Sequence, residues 1–276
     1  MSSNRIRKAV KIARQDGLRT LVVRGLFFAY RNACETFLDY DLTTRYRMHK
    51  FHTKYWVLRN NYLYEAPPEP YDRLYVDAGE IQHKSSPPNS KPRYGLGQIK
   101  SGEWDKNRNL TPLSENWVIK GLRQRYQEDK KWEDTLYYER AKARIESDGH
   151  MWGYTSIDDF QNKRCRYVDQ LYSNIKNTGY RPNYCDINER LRDNYRDQLE
   201  VLVVIGRDGS IYHRTQQHRF AIAQILDLEI PVQVICRHKQ WQELRDEVYR
   251  NRLSEEHEGL RNHPDLQESL SECYSD

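Results

Sequence analysis

The stretch "EVLVVIGRDGSIYHRTQQHRFAIAQILDLEIPVQVICRH", residues 200–238, has the most regular pattern in the chain and decides the fold class. Its continuous apolar run, "VLVVI", is typical of a buried strand, and Asp208 and Gly209 predict the hairpin turn from which "SIYH" returns. Apolar residues then recur at helical spacing from about 217 to 228, and "PVQVICRH" predicts a third strand. We therefore predict an α/β domain, with the strand near 201–206 at its centre and this helix packed on the sheet.

The loop between the hairpin and the helix, "RTQQHR" at 214–219, brings basic side chains to the start of a helix. A helix N-terminus presents backbone N–H groups without partners and the positive end of the helix dipole, which together favour an anion. Arginine binds phosphate oxygens through two parallel hydrogen bonds. Arg214, His218 and Arg219 therefore predict a phosphate site, with Gln216 and Gln217 in its loop. The alternative is that Arg219 pairs with a nearby acid and that His218 caps the helix or packs.

Outward from this stretch, residues 71–250 are predicted to form one domain. "YDRLYVDAGEI" at 71–81 predicts a short strand, and "HKSSPPNSKPRYGLG" at 83–97 predicts an irregular loop. Residues 118–147 have helical character, and another helix is predicted to begin at Ser156 and to end at Gly179. The prolines of "APPEP" at 66–70 indicate a linker, which places a boundary near residue 70.

The two ends of the chain differ from this domain in charge. Residues 1–70 are predicted to form a basic, amphipathic helical extension, because positions 4–33 contain eight Lys or Arg and a single acid, Asp16. A basic helix with an apolar face at 4–33 is able to lie on an anionic membrane surface, and the more ordinary alternative is a helix that packs on its own domain. Residues 251–276 carry seven acidic side chains from Glu255 onward and are expected to form a solvated, partly mobile tail.

Composition excludes several classes of protein. No apolar run of about 18 residues is present, since Arg24 interrupts the best candidate, so a membrane-spanning protein is not expected. The five cysteines are scattered without a Cys-x-x-Cys pair, which supports neither a disulfide framework nor a zinc site and indicates a reducing cytoplasm. We predict no metal ligands. The net charge of +5 argues neither for nor against a polyanionic partner.

The order of these motifs resembles the core of the ParB/sulfiredoxin superfamily. The resemblance is carried by the strand, the "DG" turn, the second strand, a loop ending in His218 and Arg219, the helix, and a strand introduced by "IPV". "DQLYSNIKNTGYRPN" at 169–183 is similar to the helix and glycine that precede the family's central strand. The specific match covers about 201–238, and a weaker one covers about 71–245. It implies a mixed sheet with packed helices and a loop that holds nucleotide phosphates, with Mg²⁺ accompanying the nucleotide.

Departures from the family pattern exclude some of the activities known in the family. Thr215 and Gln216 stand where the family often has glycine, which limits the approach of the backbone to a phosphate. Gln217 occupies the sulfiredoxin cysteine position, so sulfinic-acid reduction is excluded. No helix-turn-helix follows residue 245, so sequence-specific DNA binding is not expected.

An enzyme of this kind also needs a carboxylate as a base or metal ligand. The candidates are Glu80, after the first strand, and Asp105 beside Glu103 in "SGEWDK", a segment similar to a glycine-acid-Trp-Asp element of uncharacterised archaeal proteins with this domain. The alternative for each is a solvated loop acid. Two functions stay open: a nucleotide-dependent phosphotransferase or hydrolase with Arg219 and His218 on the phosphates, and a non-catalytic module that binds nucleic acid, a membrane or a protein partner.

Overall fold

The computed structural model describes residues 42–183 and 199–267. Over these residues the chain forms a mixed α+β structure, with six α-helices of 9 or more residues and a seven-stranded open sheet. Residues from Met48 onward make up one compact unit. The boundaries that we placed near residues 70 and 250 remain predictions, and the basic helix predicted over 4–33 lies outside the described residues.

Helices begin where a polar side chain accepts a backbone hydrogen bond. Asn116, Thr135 and Ser156 cap three of them, and the Ser156 Oγ accepts from the N–H of Asp159 at 3.1 Å, as predicted. Gly179 follows the last residue of its helix with a φ of 76°, which glycine adopts without strain. A short turn (Ile157–Asp159) and a π-helix (Phe160–Cys165) run directly into α4. The α-helices are α1 (Leu42–Leu63), α2 (Trp117–Tyr126), α3 (Leu136–Asp148), α4 (Arg166–Thr178), α5 (Gln217–Ile225) and α6 (Lys239–Asn251).

The sheet is organised around its longest strand, β7. The strands are β1 (Leu74–Asp77), β2 (His83–Lys84), β3 (Gln98–Lys100), β4 (Thr111–Pro112), β5 (Val201–Ile205), β6 (Ile211–His213) and β7 (Glu229–His238). Their order is β1-β7-β5-β6-β2-β4, and β3 also pairs with β7. β1 lies antiparallel to the first half of β7, whereas β3 lies parallel to its last residues. β5 is parallel to β7 and antiparallel to β6, so the sheet is mixed and the strand predicted near 201–206 is central, as expected.

The main core lies between one face of this sheet and the helices α2, α4 and α5. Every residue of β5 is buried, and Ala221 and Ile222 of α5 are fully buried. Val203 is fully buried and Ile225 is partly buried in the same cluster, which confirms that this helix packs on the sheet. The helix ends at Ile225, earlier than predicted, and Asp227 takes a left-handed φ of 53° in the turn that follows.

One expectation for the C-terminal region is wrong. We expected the acids after residue 254 to be solvated, but Asp265 is 2% exposed. Its carboxylate accepts hydrogen bonds from the Nε of Arg237 at 2.9 Å and the Nε1 of Trp241 at 2.8 Å, and pairs with Arg245 at 3.2 Å. Burial alone would raise the pKa of Asp265, but the two arginines outweigh that effect and lower it. This part of the C-terminal region therefore belongs to the folded unit.

Candidate functional site

The start of α5 is the junction for which we predicted an anion site. Gln216 precedes the helix with φ of 65° and ψ of 51°, a left-handed conformation that glycine adopts most readily. The backbone at this position therefore has a conformation that usually requires glycine, although the residue is glutamine. The side-chain amide of Gln216 donates to the carbonyl of Leu199 at 2.7 Å. The Gln216 side chain makes no capping bond to the N–H groups of the first turn. The positive end of the helix dipole points to the same place.

His218 lies in the first turn of α5 and is held by two aromatic residues. The hydroxyl oxygen of Tyr137 lies 2.9 Å from its Nε2, and the ring of Trp152 meets the imidazole edge-on, with 5.4 Å between centroids. Burial, with a smaller contribution from Arg164, lowers the pKa of His218 to about 3. The ring is therefore neutral near pH 7. It acts in the site as a hydrogen-bonding group and carries no charge of its own.

Arg164 brings a positive charge to this histidine from the π-helix that precedes α4. Its Nε donates to the Tyr137 hydroxyl at 3.3 Å, which leaves that hydroxyl proton free to be donated to His218. The guanidinium also lies over the rings of Trp152 and Tyr167, at 5.2 and 5.3 Å from their centroids. These two rings are 45% and 51% exposed. All of these partners are neutral, and no carboxylate in the described parts of the chain lies at ion-pair distance from Arg164.

Arg219, the next residue of α5, is held in the same manner. Its Nε donates to the Tyr180 hydroxyl at 2.9 Å, its Nη2 donates to the carbonyl of Arg181 at 2.5 Å, and its guanidinium lies 4.4 Å from the Tyr180 ring centroid. Among residues 42–183 and 199–267, Arg219 has no acidic partner at ion-pair distance. Within these ranges Arg219 therefore does not form the ion pair with a structural acid that was the alternative to a phosphate site.

A third arginine, Arg214, faces the proline-rich turn at 85–90. Its Nε donates to the Ser90 Oγ at 3.0 Å, and the Nζ of Lys100 donates to the carbonyl of Pro88 in the same turn at 2.6 Å. Lys84 immediately precedes this turn. Burial lowers the pKa of all three cations, and the charge of Arg214 lowers those of Lys84 and Lys100 further. Positive charges therefore lie close together here, without an ion pair to any described carboxylate, and the loop 214–216 joins them to α5.

Asp105, predicted as catalytic, is engaged by an arginine at another place in the fold. Its carboxylate accepts from the backbone N–H of Arg207 at 2.8 Å and from the Arg207 Nε at 2.9 Å. Burial opposes ionisation, but these bonds lower the pKa of Asp105. Arg207 lies in the turn between β5 and β6, at the opposite end of β6 from the loop that begins α5. The neighbouring Glu103 is exposed and pairs with Lys106 at 2.5 Å.

Glu80 also lies away from the first turn of α5. It is exposed in a 3₁₀ turn (Ala78–Glu80), and the carbonyls of Ala78 and Ile81 around it accept from the side chain of Gln224, near the end of α5. The structure therefore does not bring Glu80 or Asp105 to the arginines at the start of the helix. Their catalytic roles remain predictions.

Of the predicted binding residues, the structure gathers His218 and Arg219 around the first turn of α5, with Gln217 half-buried beside them. The side chains that hold these two residues were not predicted from the sequence, because they are 39 to 81 residues away from their contacts on α5: Tyr137, Trp152, Arg164 and Tyr180. The sequence did contain one indication that Arg164 has a special role. Arg164 stands four residues after Phe160 and four before Val168, at an inward position of an otherwise apolar stripe.

The donor set suits an oxyanion better than a metal. Among the described residues, no group of three or more His, Cys, Asp or Glu side chains could hold a metal ion. The groups around the first turn of α5 are guanidinium and backbone N–H donors, with exposed aromatic rings beside Arg164, and Arg214, Lys84 and Lys100 form a second group of cations at the turn 85–90. Such donors bind phosphate oxygens.

Comparisons with known proteins add no assignment. No protein-family model matches the chain, and neither a curated protein nor a solved structure matches it.

Proposed function

We propose that this protein binds a phosphate-bearing ligand of the nucleotide class at the start of α5. The observation that supports the proposal is uncompensated positive charge. Arg164 and Arg219 are each oriented by the hydroxyl and ring of neutral aromatic side chains, without an ion pair among the described residues. Among residues 42–183 and 199–267 their guanidinium groups are positioned but not paired with a carboxylate, as expected of groups that bind an anion.

The energetics favour an anion at this position. Partly buried charges without partners are unfavourable, because they lose hydration without gaining an opposite charge. A phosphate would supply that charge and accept hydrogen bonds from guanidinium groups and from the backbone N–H groups of the first turn of α5. Arg214, with Lys84 and Lys100, provides further positive charge beside the loop, which suits more than one phosphate group.

The aromatic side chains favour a ligand that also has a flat, uncharged part. Trp152 and Tyr167 flank Arg164 and present exposed ring surface next to it. Nucleobases stack on such rings with about 1–3 kcal/mol per base. In this proposal His218 holds Arg164 and Tyr137 in place as a neutral hydrogen-bonding group.

The resemblance to the ParB/sulfiredoxin superfamily supports the same placement, since its members hold nucleotide phosphates at the loop before this helix. We propose the ParB/sulfiredoxin-like fold for the described domain on that ground. Phosphoryl transfer or hydrolysis would require a carboxylate beside the phosphates. Because Glu80 and Asp105 lie elsewhere, binding is the function that the geometry favours over catalysis.

The proposal is tested by calorimetric titration of the protein with inorganic phosphate, pyrophosphate, ATP, ADP, CTP and GTP, each with and without Mg²⁺. Affinity should rise from phosphate to a nucleotide and fall with salt. Arg164→Met and Arg219→Ala should each weaken binding by about 1.5–3 kcal/mol, the range for a hydrogen bond to a charged group. Arg166→Ala is the matched control, because Arg166 is an exposed arginine on α4, two residues from Arg164.

Turnover measured on the same panel separates binding from catalysis. Binding that is weakened equally by Arg166→Ala would mean general attraction to positive charge, and absence of binding by every probe would refute the proposal. Urea unfolding of each variant shows whether a lost affinity reflects a lost fold.

A further inference from the structure

Helix α1 turns its large apolar side chains outward. Phe51 is 59% exposed, Leu58 is 65% exposed, Tyr62 is 83% exposed and Leu63 is 49% exposed. An ordinary surface helix directs such residues into the core and polar residues to solvent. Exposed patches of large apolar side chains mark interaction sites with proteins or membranes.

The inward side of α1 is correspondingly polar. His49 is 2% exposed and its Nδ1 lies 2.6 Å from the carbonyl of Pro92, while the Asn60 amide is fully buried and donates to the carbonyl of Gly97 at 2.7 Å. Trp56 donates its Nε1 proton to the carbonyl of Tyr94 at 3.0 Å. The helix is therefore held on the segment 92–97 by side-chain to backbone hydrogen bonds. Of its apolar residues, Met48 is buried, whereas Phe51, Leu58, Tyr62 and Leu63 stay exposed.

Arg47, Lys50 and Lys54 of α1 are exposed as well. Between residues 46 and 63 the sequence has Arg47, Lys50, Lys54 and Arg59, and no Asp or Glu. Lys54 and Leu58 are four residues apart, as are Leu58 and Tyr62, so these side chains share one face of the helix. All three are exposed. We call Phe51, Lys54, Leu58 and Tyr62 the outer face of α1.

We infer that the outer face of α1 docks on an anionic membrane surface. Apolar and aromatic side chains would enter the interface, while the lysine stems extend along it and place their ammonium groups among lipid phosphates. Four basic residues without an acid between 46 and 63 match a uniformly negative surface better than they match a protein partner of mixed charge. The positive charge also increases toward the N-terminus, since positions 4–33 contain eight basic residues and one acid.

This docking is peripheral. No described helix is both long enough and apolar enough to cross a bilayer, and α1 carries too many charges to do so. The inference is independent of the phosphate ligand proposed for α5, because it rests on different residues and a different element.

The experiment is flotation of the full chain with vesicles of phosphatidylcholine alone or of phosphatidylcholine and phosphatidylglycerol in equal parts. Wild type should float with the anionic vesicles at low salt and not with the neutral ones. Leu58→Ser/Tyr62→Ser should weaken this partition about tenfold or more, since each large apolar side chain withdrawn from water contributes about that factor. Lys50→Ser/Lys54→Ser should weaken it about fivefold for each charge removed.

Two matched controls lie outside α1. Tyr75→Ser removes an aromatic side chain that is 53% exposed on β1, and Lys120→Ser/Lys142→Ser removes two exposed charges from α2 and α3. Neither should change flotation. In a second measurement, Tyr62→Trp should be quenched by brominated lipid in anionic vesicles, whereas Tyr75→Trp should not. Because Tyr62 is almost entirely exposed, these single variants report on docking even if the double variant misfolds.

The inference is overturned if wild type ignores anionic vesicles, or if the controls lose flotation as strongly as the α1 variants do. It is also overturned if the α1 variants abolish binding of an RNA or DNA oligonucleotide while flotation persists, which would assign the face to nucleic acid. A concentration-dependent dimer that is lost in Leu58→Ser/Tyr62→Ser, without any lipid binding, would assign it to a second copy of the chain.

Discussion

Mild acid should destabilise this protein through two histidines, the fully buried His213 and the partly buried His218. Burial first, then the charges of Lys84 and Arg214, lowers the pKa of His213 to about 3, and burial with Arg164 lowers that of His218 to about 3. The unfolded chain returns each ring to an ordinary value of 6.5. Between those values the unfolded state binds more protons, so stability is present above pH 6.5 and is lost as the pH falls.

The magnitude follows from the width of that interval. At pH 5 each histidine lies about 1.5 pH units below its unfolded pKa, and at about 1.4 kcal/mol per unit this amounts to about 2 kcal/mol. Both together remove about 4 kcal/mol, a large part of the 5–15 kcal/mol that stabilises a typical domain. The assay is urea unfolding at pH 7.5 and pH 5, followed by tryptophan fluorescence.

Substitution by glutamine isolates the contribution of His213 to the pH dependence of stability, because glutamine is similar in size to histidine and cannot take up a proton. In His213→Gln the difference in unfolding free energy between the two pH values should shrink by about 2 kcal/mol, whatever the substitution costs at neutral pH. His150, which is exposed, supplies the control, and His150→Gln should leave the difference as it is. Equal losses in wild type and His213→Gln would refute the reasoning, since the folded protein would then protonate His213 as easily as the unfolded chain.

Two further predictions concern buried contacts. Asp265→Asn should lower the unfolding free energy by about 3–5 kcal/mol in urea titrations, because it leaves two buried arginines without their counter-charge; a loss below 1 kcal/mol would contradict the burial of this pair. Gly121→Ala would place a Cβ atom 2.4 Å from the Cβ of Tyr137 and 2.6 Å from its backbone nitrogen, so it should cost about 1–3 kcal/mol and weaken nucleotide binding by displacing Tyr137 from His218. Unchanged nucleotide affinity in a folded Gly121→Ala variant would show that Tyr137 does not position the site.

The local elements of this protein are determined by local sequence. The apolar run "VLVVI", the Asp208-Gly209 turn, the stripe of α5 and the Ser156 cap each act within a few residues, and the structure contains the corresponding elements. The short strands β2 and β3 were not predicted, because they lie at the ends of a segment whose prolines indicate a loop. Their strand conformation comes from pairing with β6 and β7, which are distant in sequence.

The candidate site and the charge states were decided by tertiary structure. The sequence placed His218 and Arg219 at a helix start, but only the fold brings Arg164, Tyr137 and Tyr180 to them from segments 39 to 81 residues earlier in the chain. The same holds for Asp265, an acid of an apparently solvated tail that is buried between arginines, and for Asp105, whose proximity to Arg207 depends on how two loops meet. A side chain's residue type is local, whereas its burial, its pKa and its partner depend on which distant elements pack against it.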